Sequence, residues 1–129
     1  MAKPSYPEDL LYHADHDWAR VEGAEATLGI TWYAQDQLGE VVFFEPPALG
    51  TTITQGEVYT EVESVKAVAD VLAPLSGEIV AVNDALQSNP APINEDPYGE
   101  GWLVRIRLAD PSERDALMDS QTYSASLGQ

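Results

Sequence analysis

The chain has 129 residues, and its 22 Asp and Glu against 6 Lys and Arg give a formal net charge of -16. That balance excludes a nucleic-acid groove, which needs clustered basic side chains against phosphate. The absence of cysteine excludes disulfides, thiol nucleophiles and Cys-zinc sites. No run approaches the roughly 20 apolar residues of a membrane span, and a chain of this length forms one domain around one core. The acidity is either a solubility device or a means of steering the protein toward basic partner surfaces.

Residues 1–9 carry Pro4 and Pro7 and little apolar periodicity, which reads as a mobile lead-in. They resemble neither a signal sequence nor an Arg-rich transit peptide, so the protein is expected to stay in the compartment where it is made, the bacterial cytoplasm. Residues 10–129 are expected to form the single domain. Leu10–Tyr12, Trp18–Val21 and Ala26–Ile30 read as short strands, with a turn at Glu22-Gly23-Ala24. Thr31 is placed to cap a helix over Trp32–Leu38, and Gly39 to end it in a left-handed conformation. Val41-Val42-Phe43-Phe44 is a continuous apolar run, predicted to be a strand buried on both faces and stopped by Pro46-Pro47. Val58, Thr60 and Val62 alternate with Tyr59, Glu61 and Glu63, the period of a half-buried strand. Strands resume over Val68–Leu72 and Glu78–Val82. Residues 83–97 read as a polar, proline-bearing loop. Trp102, Val104, Ile106 and Leu108 alternate with Arg105 and Arg107, predicting a strand with the arginines toward water. Asp110-Pro111-Ser112-Glu113 has the pattern of a capping box, and the segment of about 110–127 is predicted helical, with a restart at Asp119-Ser120. Many short strands with helices at the end predict a mainly β fold.

Lys66 stands between two of those strands, in Val62-Glu63-Ser64-Val65-Lys66-Ala67, and the only other lysine is Lys3. A solvated surface lysine is the plain reading. Against it, a single lysine adds nothing to solubility at -16, its neighbours are small or apolar, and a hairpin tip would project it. Such a residue is suited to serve as a handle for a covalently attached group. A second cluster, His13-Ala14-Asp15-His16-Asp17, pairs two histidines with two aspartates. In an extended segment positions i and i+3 face opposite ways, so shared metal ligation is poor geometry and no metal site is expected.

Six blocks in order resemble the H protein of the glycine cleavage system. They are Gly29-Ile30-Thr31, Tyr33-Ala34-Gln35, Leu38–Phe43, Val62–Ala67, Ala73–Glu78 and Asp96–Leu103. The resemblance runs from about Leu10 to Leu127. It implies a barrel-sandwich hybrid of the lipoyl/biotinyl kind, with lipoic acid in amide linkage on Lys66. Glu63 and Gly77 would mark the hairpin for the lipoyl-attaching enzyme; independently of the family, Gly77 also reads as a turn residue. The resemblance further implies a carrier, not an enzyme. Its arm would take an aminomethyl group from a pyridoxal-phosphate glycine decarboxylase (the P protein) and present it to a folate-dependent aminomethyltransferase (the T protein). A dihydrolipoamide dehydrogenase (the L protein) would then reoxidise it. His16 and Asp17 fall on the family stretch bordering the cleft where the loaded arm folds back, with Asp17 where glutamate is usual. Trp32 replaces a commonly acidic residue, either as packing over the helix or as a wall of that cleft or a partner contact. Alternatives are a lipoyl relay to other complexes, an unmodified binding module, or a biotinyl carrier; biotin sites usually bracket the lysine with methionines, and here Val65 and Ala67 do so. A monomer without nucleic-acid or membrane partners is expected.

Overall fold

The computed structural model describes residues 6–127. Its strands form two antiparallel sheets. The larger has six strands in the order β1-β2-β3-β9-β8-β5: β1 Leu11–His13, β2 Asp17–Glu22, β3 Glu25–Ile30, β9 Val104–Leu108, β8 Gly77–Val82 and β5 Thr52–Ile53. The smaller has the order β4-β6-β7: β4 Val41–Phe44, β6 Val58–Ser64 and β7 Val68–Leu72. Apolar side chains from both sheets meet in one core, among them Leu28, Ile30, Phe44, Val62, Val71, Ile79 and Ile106. This is the mainly β sandwich that the sequence predicts.

A second, aromatic cluster joins Leu10, Tyr12, Trp18, Trp32, Tyr98 and Tyr123. Tyr12 and Tyr123 stack with ring centroids 4.8 Å apart, docking the C-terminal helix α4 (Ser120–Ser126) against β1. Tyr6 lies edge-on to both rings, so the chain is packed from Tyr6 onward; residues 1–5 of the nine-residue lead-in lie outside the described residues.

Helix α1 (Trp32–Leu38) begins and ends where the sequence predicts. The Thr31 side chain accepts a hydrogen bond from the Ala34 amide, and Gly39 follows with φ 84° and its amide donating to the Gln35 carbonyl. Three other expectations are corrected. β4 is not buried on both faces: its register against β6 shifts between Val41 and Phe43, so Val42 and Phe43 both turn outward while Val41 and Phe44 point into the core. Residues 83–97 are not a loop throughout, because buried Leu86 and Ile93 anchor the one-turn helices α2 (Ala85–Ser88) and α3 (Ala91–Glu95). The capping box does not close. Asp110 caps a 3-10 helix over Pro111–Ala116, while the Glu113 carboxylate turns away and accepts from the Ser76 amide (2.7 Å) and hydroxyl (2.8 Å). Leu117 ends that helix, and Met118 exchanges backbone hydrogen bonds with Tyr12 instead of extending a helical face.

Candidate functional site

Lys66 is exposed at the tip of the β6–β7 hairpin, whose last register pair is Glu63 with Val68. The turn is shaped by Ser64. Its amide donates to the Ala67 carbonyl at 2.8 Å, and its largely buried hydroxyl accepts from the amides of Lys66 (3.2 Å) and Ala67 (3.1 Å). Donors that a tight turn would otherwise orphan are thereby satisfied. The Val65 amide donates to the Glu40 carbonyl at 3.0 Å, tying the tip to the segment between α1 and β4. Asn94 secures that segment in turn: its side chain accepts from the Val41 amide (2.8 Å) and donates to the Gly39 carbonyl (2.8 Å) and to Gln35 (3.0 Å). The Lys66 stem passes over Gly39 so closely that a Cβ there would sit 3.4 Å from its Cε. The lysine is thus free at its amine and fixed at its backbone.

A cavity of about 270 Å³ opens at the foot of the hairpin. Ala67 borders it beside Lys66, with Val62, Ala69 and Val71 from the inner face of the small sheet. Ile30 closes it from β3, Tyr33, Ala34, Gln37 and Leu38 from α1, and Asp15 and His16 at the β1–β2 turn. The lining is mostly apolar, so it suits an aliphatic or thioether-like group better than a charged one. A larger groove of about 550 Å³ lies on the other side of α1, between Gln35, Asp36, Gly39, Glu40, Val41, Ala91, Asn94 and Glu95; its mixed lining, with three carboxylates, is less suited to such a group than the mostly apolar cavity.

The three residues expected to form an arm cleft do not stand together. His16 lines the cavity. It adopts φ 72°, and its Nδ1 lies 2.8 Å from the Tyr123 hydroxyl, which lies 2.8 Å from the Thr31 hydroxyl. Burial lowers the His16 pKa from its ordinary value, against the opposing charge of Asp15, and the imidazole is 4.6 Å from the Tyr33 ring, centroid to centroid. Asp17 does not line the cavity: it is 2 % exposed, with Oδ2 unpartnered. Burial, and secondarily the charge of Asp15, push its carboxyl well above the usual carboxylate range. Trp32 does not line it either; it is buried in the aromatic cluster, and its amide donates to the Tyr98 hydroxyl at 2.8 Å. Its packing reading is therefore the one that fits.

The His13–Asp17 stretch is a tight turn, not an extended segment. The His16 amide donates to the His13 carbonyl at 2.9 Å, His13 Nδ1 pairs with Asp15 (3.4 Å), and His16 faces Tyr33 and Tyr123. Among the described residues no three His, Asp or Glu side chains are placed to hold a metal ion. Glu63 is exposed on the outer face beside the hairpin tip. Gly77 opens β8 in the other sheet, opposite Ile53 and Leu108. It is not a turn residue: a Cβ there would collide with the Arg107 carbonyl oxygen, so close strand approach requires glycine.

Sequence reasoning missed Asp15, Tyr33 and Ala69 as cavity residues, and Ser64 and Asn94 as supports of the tip. Ser64 had a signal, a hydroxyl two residues before a projected side chain. Asn94, in an apparently polar loop, had none.

A family model described as "Glycine cleavage H-protein" matches residues 10–129. The glycine cleavage system H protein of Symbiobacterium thermophilum is 51 % identical over 119 residues, covering 92 % of this chain and 93 % of that protein. The H protein of Halorhodospira halophila is 52 % identical over 118 residues, covering 91 % of each. The crystal structure of a glycine cleavage system H protein from Mycobacterium marinum superposes with a TM-score of 0.87 at 40 % identity, covering 95 % of this chain and 99 % of that one. With a projected lysine on a fixed hairpin, an apolar cavity at its foot and likeness along nearly its whole length, this chain belongs to the glycine cleavage H-protein family.

Proposed function

We propose that Lys66 is the residue on which this family member carries lipoic acid, as an amide on Nζ, and that the protein is a carrier and substrate of partner enzymes rather than a catalyst. The observation that carries the reading is the pairing of an exposed amine on a rigid turn with an apolar cavity bordered by the next residue, Ala67. The residues fit the group. A saturated, sulfur-bearing head is compatible with the Val62, Ala69, Val71, Ile30 and Leu38 walls. When bound, lipoate supplies a disulfide that accepts a one-carbon amine fragment and two electrons.

The chain's own contribution is position. Ser64 and the Val65–Glu40 bond hold the tip, so a tethered group searches a restricted volume and meets a docked active site at high effective concentration. His16, kept neutral by burial, offers the cavity mouth a hydrogen-bonding ring without a competing positive charge. Asp17, next to His16 in the chain, is a carboxyl whose protonated form burial favours. Opening of that region to a cationic amine would reverse the preference and charge it. Glu63 flanks the tip where an attaching enzyme reads it. Gly77 acts at a distance through strand packing.

The partners are the glycine decarboxylase, the aminomethyltransferase and the dihydrolipoamide dehydrogenase of glycine cleavage, together with a lipoyl-attaching enzyme. Bacterial relatives support the bacterial cytoplasm as the place of action, and no helix among the described residues is long and apolar enough to cross a membrane. The test is glycine-dependent appearance of free thiols on the loaded protein in the presence of the decarboxylase. Thiols formed with glycine and absent without it support carriage in glycine cleavage. A loaded protein that passes its lipoyl group to other acceptors yet gains no thiols with glycine would instead be a relay.

A further inference from the structure

We propose that the outer face of the β4-β6-β7 sheet is the surface on which the enzyme that acylates Lys66 docks, and that this enzyme presents an apolar patch edged by Lys and Arg. The inference rests on the reading of Lys66 as an acylation site. Two independent features of the molecule point to this face.

The first is where apolar surface is left uncovered. Exposed large hydrophobic side chains among the described residues are Val42, Phe43, Val58, Val65, Val68 and Leu49, and all but Leu49 belong to this sheet or its hairpin tip. The pairing places Val42, Phe43, Val65 and Val68 near Lys66, whereas Val58, opposite Leu72, lies at the far end of the hairpin. Phe43 is in register with Glu63 and Glu63 with Val68, so Phe43 (42 % exposed) and Val68 (59 % exposed) flank one outward row next to the tip, with Val65 (66 % exposed) at the tip itself. The bulge that turns Val42 and Phe43 outward is what uncovers the patch.

The second is where charge is left uncompensated. Every side-chain ion pair among the described residues lies on the six-stranded sheet or the segments beside it: Arg105 with Glu25 and Glu22, Arg107 with Glu78, Arg20 with Asp9 and His13 with Asp15. The small sheet contains no arginine or lysine in its strands. Its outward Glu61 pairs in register with outward Asp70, one residue row from Phe43-Glu63-Val68. Like charges directly opposite each other are unfavourable in the free protein, and a basic partner surface relieves that repulsion. A second copy of this chain would place carboxylate against carboxylate and is disfavoured.

Geometry selects the attaching enzyme over the other partners. Attachment forms the C–N bond between the deprotonated Lys66 Nζ and the carbonyl carbon of an activated acyl donor, an acyl adenylate. The bond to the adenylate oxygen breaks, AMP leaves and the amine proton passes to solvent. The donor must come within bonding distance of a short lysine stem, which forces the enzyme onto the surface next to the tip. An enzyme that is reached through the completed arm can stand further off.

The test measures attachment itself, with unmodified protein, a lipoate ligase, lipoate and ATP, by intact mass over time. Phe43→Ser with Val68→Ser should raise KM for the carrier at least tenfold while kcat changes by less than threefold. Glu61→Lys with Asp70→Lys should raise KM similarly and flatten its rise with salt. Leu49→Ser, an exposed apolar residue off the face, should leave both constants unchanged, and circular dichroism should show all variants folded. Wild-type KM for both double variants overturns the docking face while leaving Lys66 as the acylation site. A wild-type protein that takes no acyl group at Lys66 overturns the face and the carrier reading together. Sedimentation showing a dimer that the Phe43/Val68 variant dissociates assigns the patch to self-association and also overturns the proposal. So does normal attachment to variants that, once loaded, fail only with the decarboxylase or the dehydrogenase.

Discussion

Burying the Asp17 carboxyl with Oδ2 unpartnered favours its protonated form in the folded protein. Because the folded pKa lies above the ordinary 3.8, the fold binds more protons than the unfolded chain between those two values. The Asp17 contribution to stability is therefore fully present below pH 3.8 and declines as pH rises through the window up to the raised folded pKa. Asp17→Asn keeps the shape without the charge. It should flatten that decline and stabilise the protein near neutral pH by about 1–3 kcal/mol, as expected when a buried, poorly paired ionisable group is neutralised. Urea unfolding across pH 4–8 is the check; a wild-type stability that rises through the acid range by virtue of Asp17 would contradict it. Ser64 is the second residue with a specific forecast. Ser64→Ala removes the acceptor for the Lys66 and Ala67 amides and should cost about 1 kcal/mol. Faster hydrogen exchange at Lys66 and Ala67, with the core amides unaffected, would report it.

At the scale of elements, the hairpin and the strand packing beneath it are separable. Gly77→Ala drives a methyl group into the Arg107 carbonyl across the β8–β9 pairing and should lower stability by about 2–4 kcal/mol, as overpacked sites without a flexible neighbour do. Its thermal melt therefore has to accompany any measurement of attachment to this variant, since unfolding alone would reduce attachment. The 3-10 helix is fastened to the segment before β8 by Glu113 on Ser76. Glu113→Ala strands the Ser76 amide and should cost about 1–2 kcal/mol by thermal unfolding. The contrast between α1 and β4 shows what a sequence carries. Thr31 and Gly39 act on their own neighbours, so α1 was legible to the residue. The outward turn of Val42 and Phe43 depends on a register shift against β6, a partner remote in sequence, and an apolar run alone cannot reveal it. Likewise Leu86 and Ile93 become helix anchors only because the core lies above them.

The whole molecule is polarised in a way that net charge conceals. Its arginines on the large sheet are paired with carboxylates, and the small sheet keeps its acids bare around one projected amine. Lys66 and its hairpin were legible because solitude and strand alternation are properties of the sequence itself. The cavity was only partly so: His16 was anticipated, but Asp17 and Trp32 differ from the lining by being turned inward. Whether a side chain one position along a strand faces the cavity or the core is decided by sheet register. Likeness to the family extends from residue 10 to residue 129, and it constrains the fold and the carrier role more tightly than it constrains these individual contacts. The central claim is that Lys66 Nζ carries lipoate, and the most direct measurement is intact mass with peptide mapping of protein from lipoate-competent cells, wild type beside Lys66→Ala. One lipoyl increment is expected, mapped to the peptide containing Lys66 and absent from the variant. A wild-type protein at its unmodified mass in those cells, or an increment that survives Lys66→Ala, would contradict it.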